Sequence, residues 1–231
     1  MEEKAVQLTD VTKTYRVGRE KLHAVRGASL DVAAGELLAI VGPSGSGKTT
    51  LTHMIGGLLK PTAGTIIIGG TDITRLRDRA LSTFRNKHIG FIFQNYSLLP
   101  GYTALENVCL PLIVAGVSPA ERKRRAAAYL ELVGLGKQMA QKADQLSGGQ
   151  RQRVAIARAL AMQPKIVIAD EPTGSLDSAR GHEIMNILEH LAHIQKMAVI
   201  MVTHDLTLAA KADRQVHMLD GAMQEAAHAN R

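Results

Sequence analysis

Gly42-Pro43-Ser44-Gly45-Ser46-Gly47-Lys48-Thr49 is the stretch on which the fold turns. It matches a phosphate-binding loop in every required position, and its context agrees. Leu37-Leu38-Ala39-Ile40-Val41 ahead of it is a short apolar run, as a buried strand is, and residues 48–59 behind it carry helical spacing. Outward from this unit, Val6 to Val11 alternates apolar and polar residues, which predicts a half-buried strand. Thr65 to Ile68 before Gly69-Gly70, Ile89 to Phe93, Ile166 to Ala169, Ala198 to Val202 and Gln215 to Leu219 are further strand candidates. Thr103 to Met162 is mostly helical, with a start at Pro119-Ala120-Glu121 and a stop at Val133-Gly134-Leu135-Gly136. Segments 178–195 and 205–212 are helical as well, and the polar, Ala-rich tail after Gly221 is expected to fray. Alternating strands and helices predict an α/β fold with a parallel sheet covered by helices.

Composition narrows the function. A chain of 231 residues can bury a sizeable core as one domain with an inserted subdomain. Trp is absent and aromatics are 3%, which argues against a stacking platform for single-stranded nucleic acid, and no nucleic-acid partner is expected. The net charge of +7 suits nucleotides or an anionic surface as well as plain solubility. Cys109 is the single cysteine, so an intrachain disulfide framework is excluded and a reducing compartment fits. The start Met1-Glu2-Glu3-Lys4 is unlike a secretory signal. No apolar run approaches the ~18 residues of a spanning helix, so any membrane role is expected to come through a partner.

The glycines of the loop let successive N–H groups turn toward phosphate oxygens, with the following helix N-terminus beneath them. Gly42, Ser44, Gly45, Ser46 and Gly47 therefore form the expected cradle. Lys48 is expected to reach β- and γ-phosphates, Thr49 to ligate Mg2+, and Thr50 to serve the α-phosphate region. Ile166 to Ala169 runs into Asp170-Glu171. Downstream of such a loop, Asp170 fits a holder of the metal and Glu171 the group that polarises the attacking water. Leu146-Ser147-Gly148-Gly149-Gln150 adds a second anion site, because Ser147 can cap a helix whose first residues are glycines.

With its continuation Arg151-Gln152-Arg153-Val154-Ala155-Ile156-Ala157-Arg158-Ala159-Leu160, this pentapeptide resembles the signature of the ATP-binding cassette (ABC) ATPases, and the resemblance runs from residue 5 to about 221. It implies a phosphate-loop nucleotidase core with a parallel sheet, an N-terminal antiparallel β subdomain and an inserted α-helical subdomain. The whole of 1–231 would be one nucleotide-binding domain, with core 1–94 and 163–231 and helical subdomain about 95–162. It also implies a head-to-tail homodimer in which two ATPs are sandwiched, each between one chain's phosphate loop and the other's Ser147, Gly148, Gly149 and Gln150. Gln94 resembles the family's metal- and water-sensing glutamine, and Asp177, in Ser175-Leu176-Asp177, lies in the loop that crosses the dimer interface. His204 resembles the switch histidine at the γ-phosphate, and Tyr15 the aromatic that stacks on adenine.

Gly90 to Pro100, followed by Thr103-Ala104-Leu105-Glu106-Asn107-Val108, looks like the lipoprotein-releasing and macrolide-exporter group of bacterial ABC ATPases. That likeness implies ATP hydrolysis powering a separate membrane permease, with the chain held peripherally at the cytoplasmic face of the inner membrane. The permease is expected to dock near Gln94–Leu112, where Tyr96, Leu98, Leu99, Pro100 and Tyr102 cluster. A force-transmitting complex of the cell-division type stays open as an alternative, as does a soluble repair or translation ATPase. Repair members carry long insertions, and translation members two cassettes, neither of which is present here. Intact Glu171, Gln94 and His204 speak against a non-catalytic binding module. His182, His190 and His193 read as surface histidines of one helix, and Arg122 to Arg125 as a solvated basic face.

Overall fold

The structure is a computed structural model that describes residues 4–18 and 20–225. Two sheets carry the architecture. The first is four-stranded and antiparallel, in the order β2 (Glu20–Ala33), β1 (Lys4–Val17), β4 (Ala63–Ile68), β5 (Thr71–Asp72). The second is six-stranded, in the order β10 (Ala222–Glu225), β9 (Arg214–Leu219), β3 (Leu37–Val41), β8 (Ala198–Thr203), β7 (Ile166–Asp170), β6 (Ile89–Phe93). Its five central and distal strands are parallel, and only β10 runs antiparallel.

The parallel strands are apolar on both faces because both faces are covered. Along β3, Leu38 and Ile40 join Val6, Leu8, Ile66 and Ile68 in a core shared with the antiparallel sheet. Leu37, Ala39 and Val41 face the opposite way and pack with the helices, as the period of two requires. That second layer contains α5 (Gly148–Leu160) and α6 (Ser178–His193), with α3 (Ala104–Val114) and α4 (Pro119–Leu132) stacked on α5. The remaining helices are α1 (Lys48–Ile55), α2 (Asp78–His88) and the short α7 (Leu206–Ala209).

Several elements differ from the sequence reading. The first strand extends well beyond Val6 to Val11, because β2 pairs along its whole length. α1 stops at Ile55 rather than residue 59, since Gly56-Gly57 closes it and the Leu58 and Leu59 N–H groups both return to the His53 carbonyl. The helix expected over 205–212 shrinks to Leu206–Ala209, capped by the Asp205 carboxylate on the Thr207 and Leu208 N–H groups. Part of the tail expected to fray, Ala222–Glu225, pairs with β9 instead, while residues 226–231 and Met1 to Glu3 lie outside the described residues. β2 and α2 have no counterpart in the sequence reading. α2 is polar overall and turns only buried Leu81 and half-buried Phe84 to the core, so its apolar face is too short to stand out in the sequence. β2 does carry one, in the alternation of buried Ala28, Leu30 and Val32.

Candidate active site

The carboxyl ends of β3, β6, β7 and β8 open on one side of the parallel sheet, where α/β folds bind ligands. The phosphate-loop stretch follows β3, Gln94 follows β6, Asp170 ends β7 with Glu171 behind it, and His204 follows β8. They meet around a cavity of about 460 Å³ whose walls include Tyr15, Ser44, Gly45, Gly47, Lys48, Thr49, Thr50, Gln94, Glu171 and His204.

Close approach shapes the loop. A Cβ on Gly42 would lie 2.1 Å from the Met218 carbonyl, and one on Gly47, at φ 102°, would lie 2.2 Å from the Ala24 carbonyl. The loop is wedged between β9 and β2, so only glycine fits at these two positions. Gly47 caps α1 without a side-chain hydrogen bond, which leaves the first N–H groups of the helix free to meet an anion. Buried Ser46 holds its hydroxyl near the Lys48 amine, which donates to the Gly42 and Pro43 carbonyls at 2.8 Å each. Burial lowers the Lys48 pKa, and the nearby charges of Glu171 and Asp170 oppose that shift. A cation so placed lies in the cavity wall with carboxylates across from it.

Thr49 Oγ1 donates to Asp170 Oδ1 at 3.4 Å, so the hydroxyl and the carboxylate share one position beneath the cavity. Burial pushes the Asp170 carboxyl above its usual range, and the Thr49 hydrogen bond offsets this in part. Glu171 sits in the left-handed region at φ 48°, uncommon for a residue with a Cβ. Its N–H donates to the Val202 carbonyl at 2.9 Å and its own carbonyl accepts from the Gly174 N–H at 3.1 Å. One carboxylate oxygen meets His204 Nδ1 at 2.9 Å, and the other is buried without a partner among the described residues. That orphaned oxygen is hydrogen-bonding capacity which the fold leaves unused beside the cavity. The Gln94 carbonyl accepts from the Ser175 hydroxyl at 3.2 Å, tying the end of β6 to the loop behind Glu171.

Of the remaining expected residues, Ser147 to Gln150 and Asp177 lie outside this cavity, and Tyr15 lines it. Ser147 caps α5, accepting from the Gln150 N–H at 3.3 Å, while the Gln150 side chain accepts from the Ser147 N–H at 2.9 Å. This reciprocal box leaves the Ser147 O–H proton and the Gly148 and Gly149 N–H groups for an external anion. None of Ser147 to Gln150 lines the cavity of the phosphate loop. Asp177 caps α6 on the Arg180 N–H at 2.9 Å and lines an adjoining cavity of about 370 Å³ that also reaches Glu171 and His204. Tyr15 has the Lys13 amine 5.3 Å from its ring centre, and its cross-strand partner Leu22 lines the same cavity. Leu22 and Ala24 escape the sequence reading because they lie on β2.

A phosphate cradle, a hydroxyl–carboxylate pair and a poised glutamate at one strand edge define a phosphate-loop nucleotide hydrolase. A family model described as ABC transporter matches residues 25–174. The chain is 45% identical to the lipoprotein-releasing system ATP-binding protein LolD of Bacteroides fragilis, over 94% of this chain and 98% of that protein. It is 46% identical to the macrolide export ATP-binding/permease protein MacB of Rhodopirellula baltica, over 95% of this chain and 32% of that longer polypeptide. Its fold is similar to the dimeric post-hydrolysis structure of the ATP-binding cassette MJ0796 bound to ADP and Pi, with TM-score 0.88, 43% identity and coverage of 95% and 98% of the two chains. The chain belongs to the ABC transporter family, as an ATP-binding, ATP-hydrolysing subunit of the lipoprotein-releasing and macrolide-exporter group.

Proposed function

We propose that this chain hydrolyses ATP as half of a head-to-tail homodimer and drives a separate membrane permease. One observation carries the dimer: Lys48 and Glu171 share a cavity that none of Ser147 to Gln150 reaches. A second copy, related by two-fold symmetry, brings its signature segment over this cavity and receives the same in return.

Within each site, Lys48 and the loop N–H groups hold the phosphates, and Tyr15 with Leu22 bounds the adenine. Thr49, Asp170 and Gln94 supply hard oxygen donors that suit Mg2+. The metal, when bound, neutralises charge on the phosphates. Glu171 orients the attacking water as its base, and His204 holds Glu171 while facing the γ-phosphate. Ser147, Gly148 and Gly149 of the partner subunit complete the anion site, and Asp177 meets the partner across the interface.

The permease surface is a groove of about 440 Å³ between α2, β6 and α3, walled by Phe91, Phe93, Ser97, Pro111, Val114 and Arg85. It overlaps the expected Gln94–Leu112 stretch at Ser97 and Pro111. Leu98, expected on the contact surface, packs against the core, whereas Leu99 and Tyr102 are exposed. No helix among the described residues is long and apolar enough to cross a membrane. We therefore place the chain peripherally at the cytoplasmic face of the inner membrane, through this groove. Residues about 95–162 act as the movable helical subdomain on the core 1–94 and 163–231.

The test is Glu171→Gln. The amide keeps the shape but is no base, so ATP binding should persist, turnover should fall about 10²-fold or more, and ATP should drive a stable dimer. Near-normal turnover, or a monomer at saturating MgATP by light scattering, overturns this reading.

A further inference from the structure

Gln152 belongs to α5, the helix that presents the signature, yet its side chain is wholly buried, at 0% exposure. Its Nε2 donates to the Pro172 carbonyl at 2.6 Å. Only the nitrogen end of the amide can donate to a carbonyl, so this orientation leaves Oε1 inside. That oxygen has no partner among the described residues. A core position with one unsatisfied amide oxygen is costly, and an apolar side chain of equal volume would fit it better. The bond to Pro172 is what the amide supplies in return.

Pro172 directly follows Glu171, whose left-handed backbone at φ 48° is held on its other side by the Val202 carbonyl. The loop carrying the glutamate is thus pinned twice, by β8 and by α5. The start of α5 also lies close to the end of this loop and to the first turn of α6. A Cβ on Gly148 would lie 3.6 Å from Leu176, and one on Gly149 would lie 3.0 Å from Arg180. A rigid helix therefore connects the signature segment to the loop of Glu171 in the same chain.

We infer that Gln152 is a positioning residue for hydrolysis: it fixes the Glu171 loop to α5, and so links the glutamate of one nucleotide site to the signature that the same chain offers to the other site. The second half of this inference rests on the head-to-tail dimer proposed above. Displacement of the Pro172 carbonyl would shift the glutamate while leaving the phosphate loop untouched.

Gln152→Met keeps the volume and removes the donor. We expect kcat to fall about 10–100-fold, the size of effect that a small misplacement of a reacting group produces. The KM for ATP and the thermal midpoint should stay close to those of the parent. Gln152→Glu, whose buried carboxyl is held protonated and can donate through its O–H, should recover part of the lost kcat. The Gln152→Met/Glu171→Gln double variant should still dimerise with ATP, since binding is intact. Parent-like kcat in Gln152→Met overturns the proposal, as does a proportional loss of ATP affinity and thermal stability, which would mark a structural residue. Failure of Glu171→Gln alone to dimerise would sink the head-to-tail reading, and the kcat of Gln152→Met would still report on the Glu171 loop.

Discussion

His204 Nδ1 lies 2.9 Å from Glu171 Oε1, joining the ends of β7 and β8 across the mouth of the nucleotide cavity. The two side chains differ in environment: Glu171 is 16% exposed and His204 is 67% exposed. The histidine is thus the solvent-side wall of the pair, and among the described residues the largely buried carboxylate has no other side-chain partner.

From this follows the expectation for His204→Ala. Glu171 would lose the contact that aims it, so kcat should fall about 10²-fold with ATP affinity little changed. Steady-state hydrolysis and binding of a fluorescent ATP analogue separate the two. Equal losses in both measurements would assign His204 to nucleotide binding instead.

Asp170 illustrates a conflict between stability and function. Burial raises its carboxyl pKa in the folded chain. The folded state therefore holds this proton more tightly than the unfolded chain does. The resulting stabilisation is present below the ordinary aspartate pKa and is lost as pH rises through the raised folded value. At neutral pH the ionised carboxylate opposes folding. Asp170→Asn should accordingly raise the melting temperature of the nucleotide-free protein at pH 7, on the order of 2 °C, with the gain vanishing toward pH 4. Hydrolysis should be lost, because a neutral amide is a poor partner for Mg2+. A lower melting temperature at pH 7 would contradict the assigned electrostatics.

Complementation tests the composite site. Ser147→Arg should fold and bind ATP through Lys48 but fail to close around it, because bulk and charge would fill the partner's γ-phosphate position. Lys48→Ala has the opposite defect. Mixed together, the two variants should regain ATPase activity, since one site per heterodimer then joins an intact phosphate loop to an intact signature. No recovery on mixing, with each protein folded by circular dichroism, would argue against shared sites.

The groove can be probed at Val114, which is 76% exposed and lines it at the end of α3. Exposure means that Val114→Asp should not disturb folding. Basal ATPase of the isolated subunit should stay as it is, while co-purification with the permease and permease-dependent stimulation should both drop. Retained stimulation would move the docking surface elsewhere.

Much of the site is legible in the sequence because its parts are local. Gly42 to Thr49 encodes a turn and a helix start in one run, and Asp170-Glu171 needs only a strand to carry it. Ser147 with Gln150 encodes a cap, since both partners of that box lie within one helical turn. What the tertiary structure alone decided is how these parts lie relative to one another. The separation of Ser147 from the cavity of Lys48 follows from the stacking of α3, α4 and α5 against the parallel sheet. The partial burial of Leu98 against the core, at a position expected on the surface, has the same origin. β2 takes its place from pairing with β1, and its Leu22 reaches the cavity only through that register. Gln152 reads as one more polar residue of a helix until packing places it against the Pro172 carbonyl. Caps and turns draw on neighbouring residues, whose chemistry a sequence displays directly. Buried contacts between distant segments exist only once the core has closed, and they set which of those local parts can act on the same nucleotide.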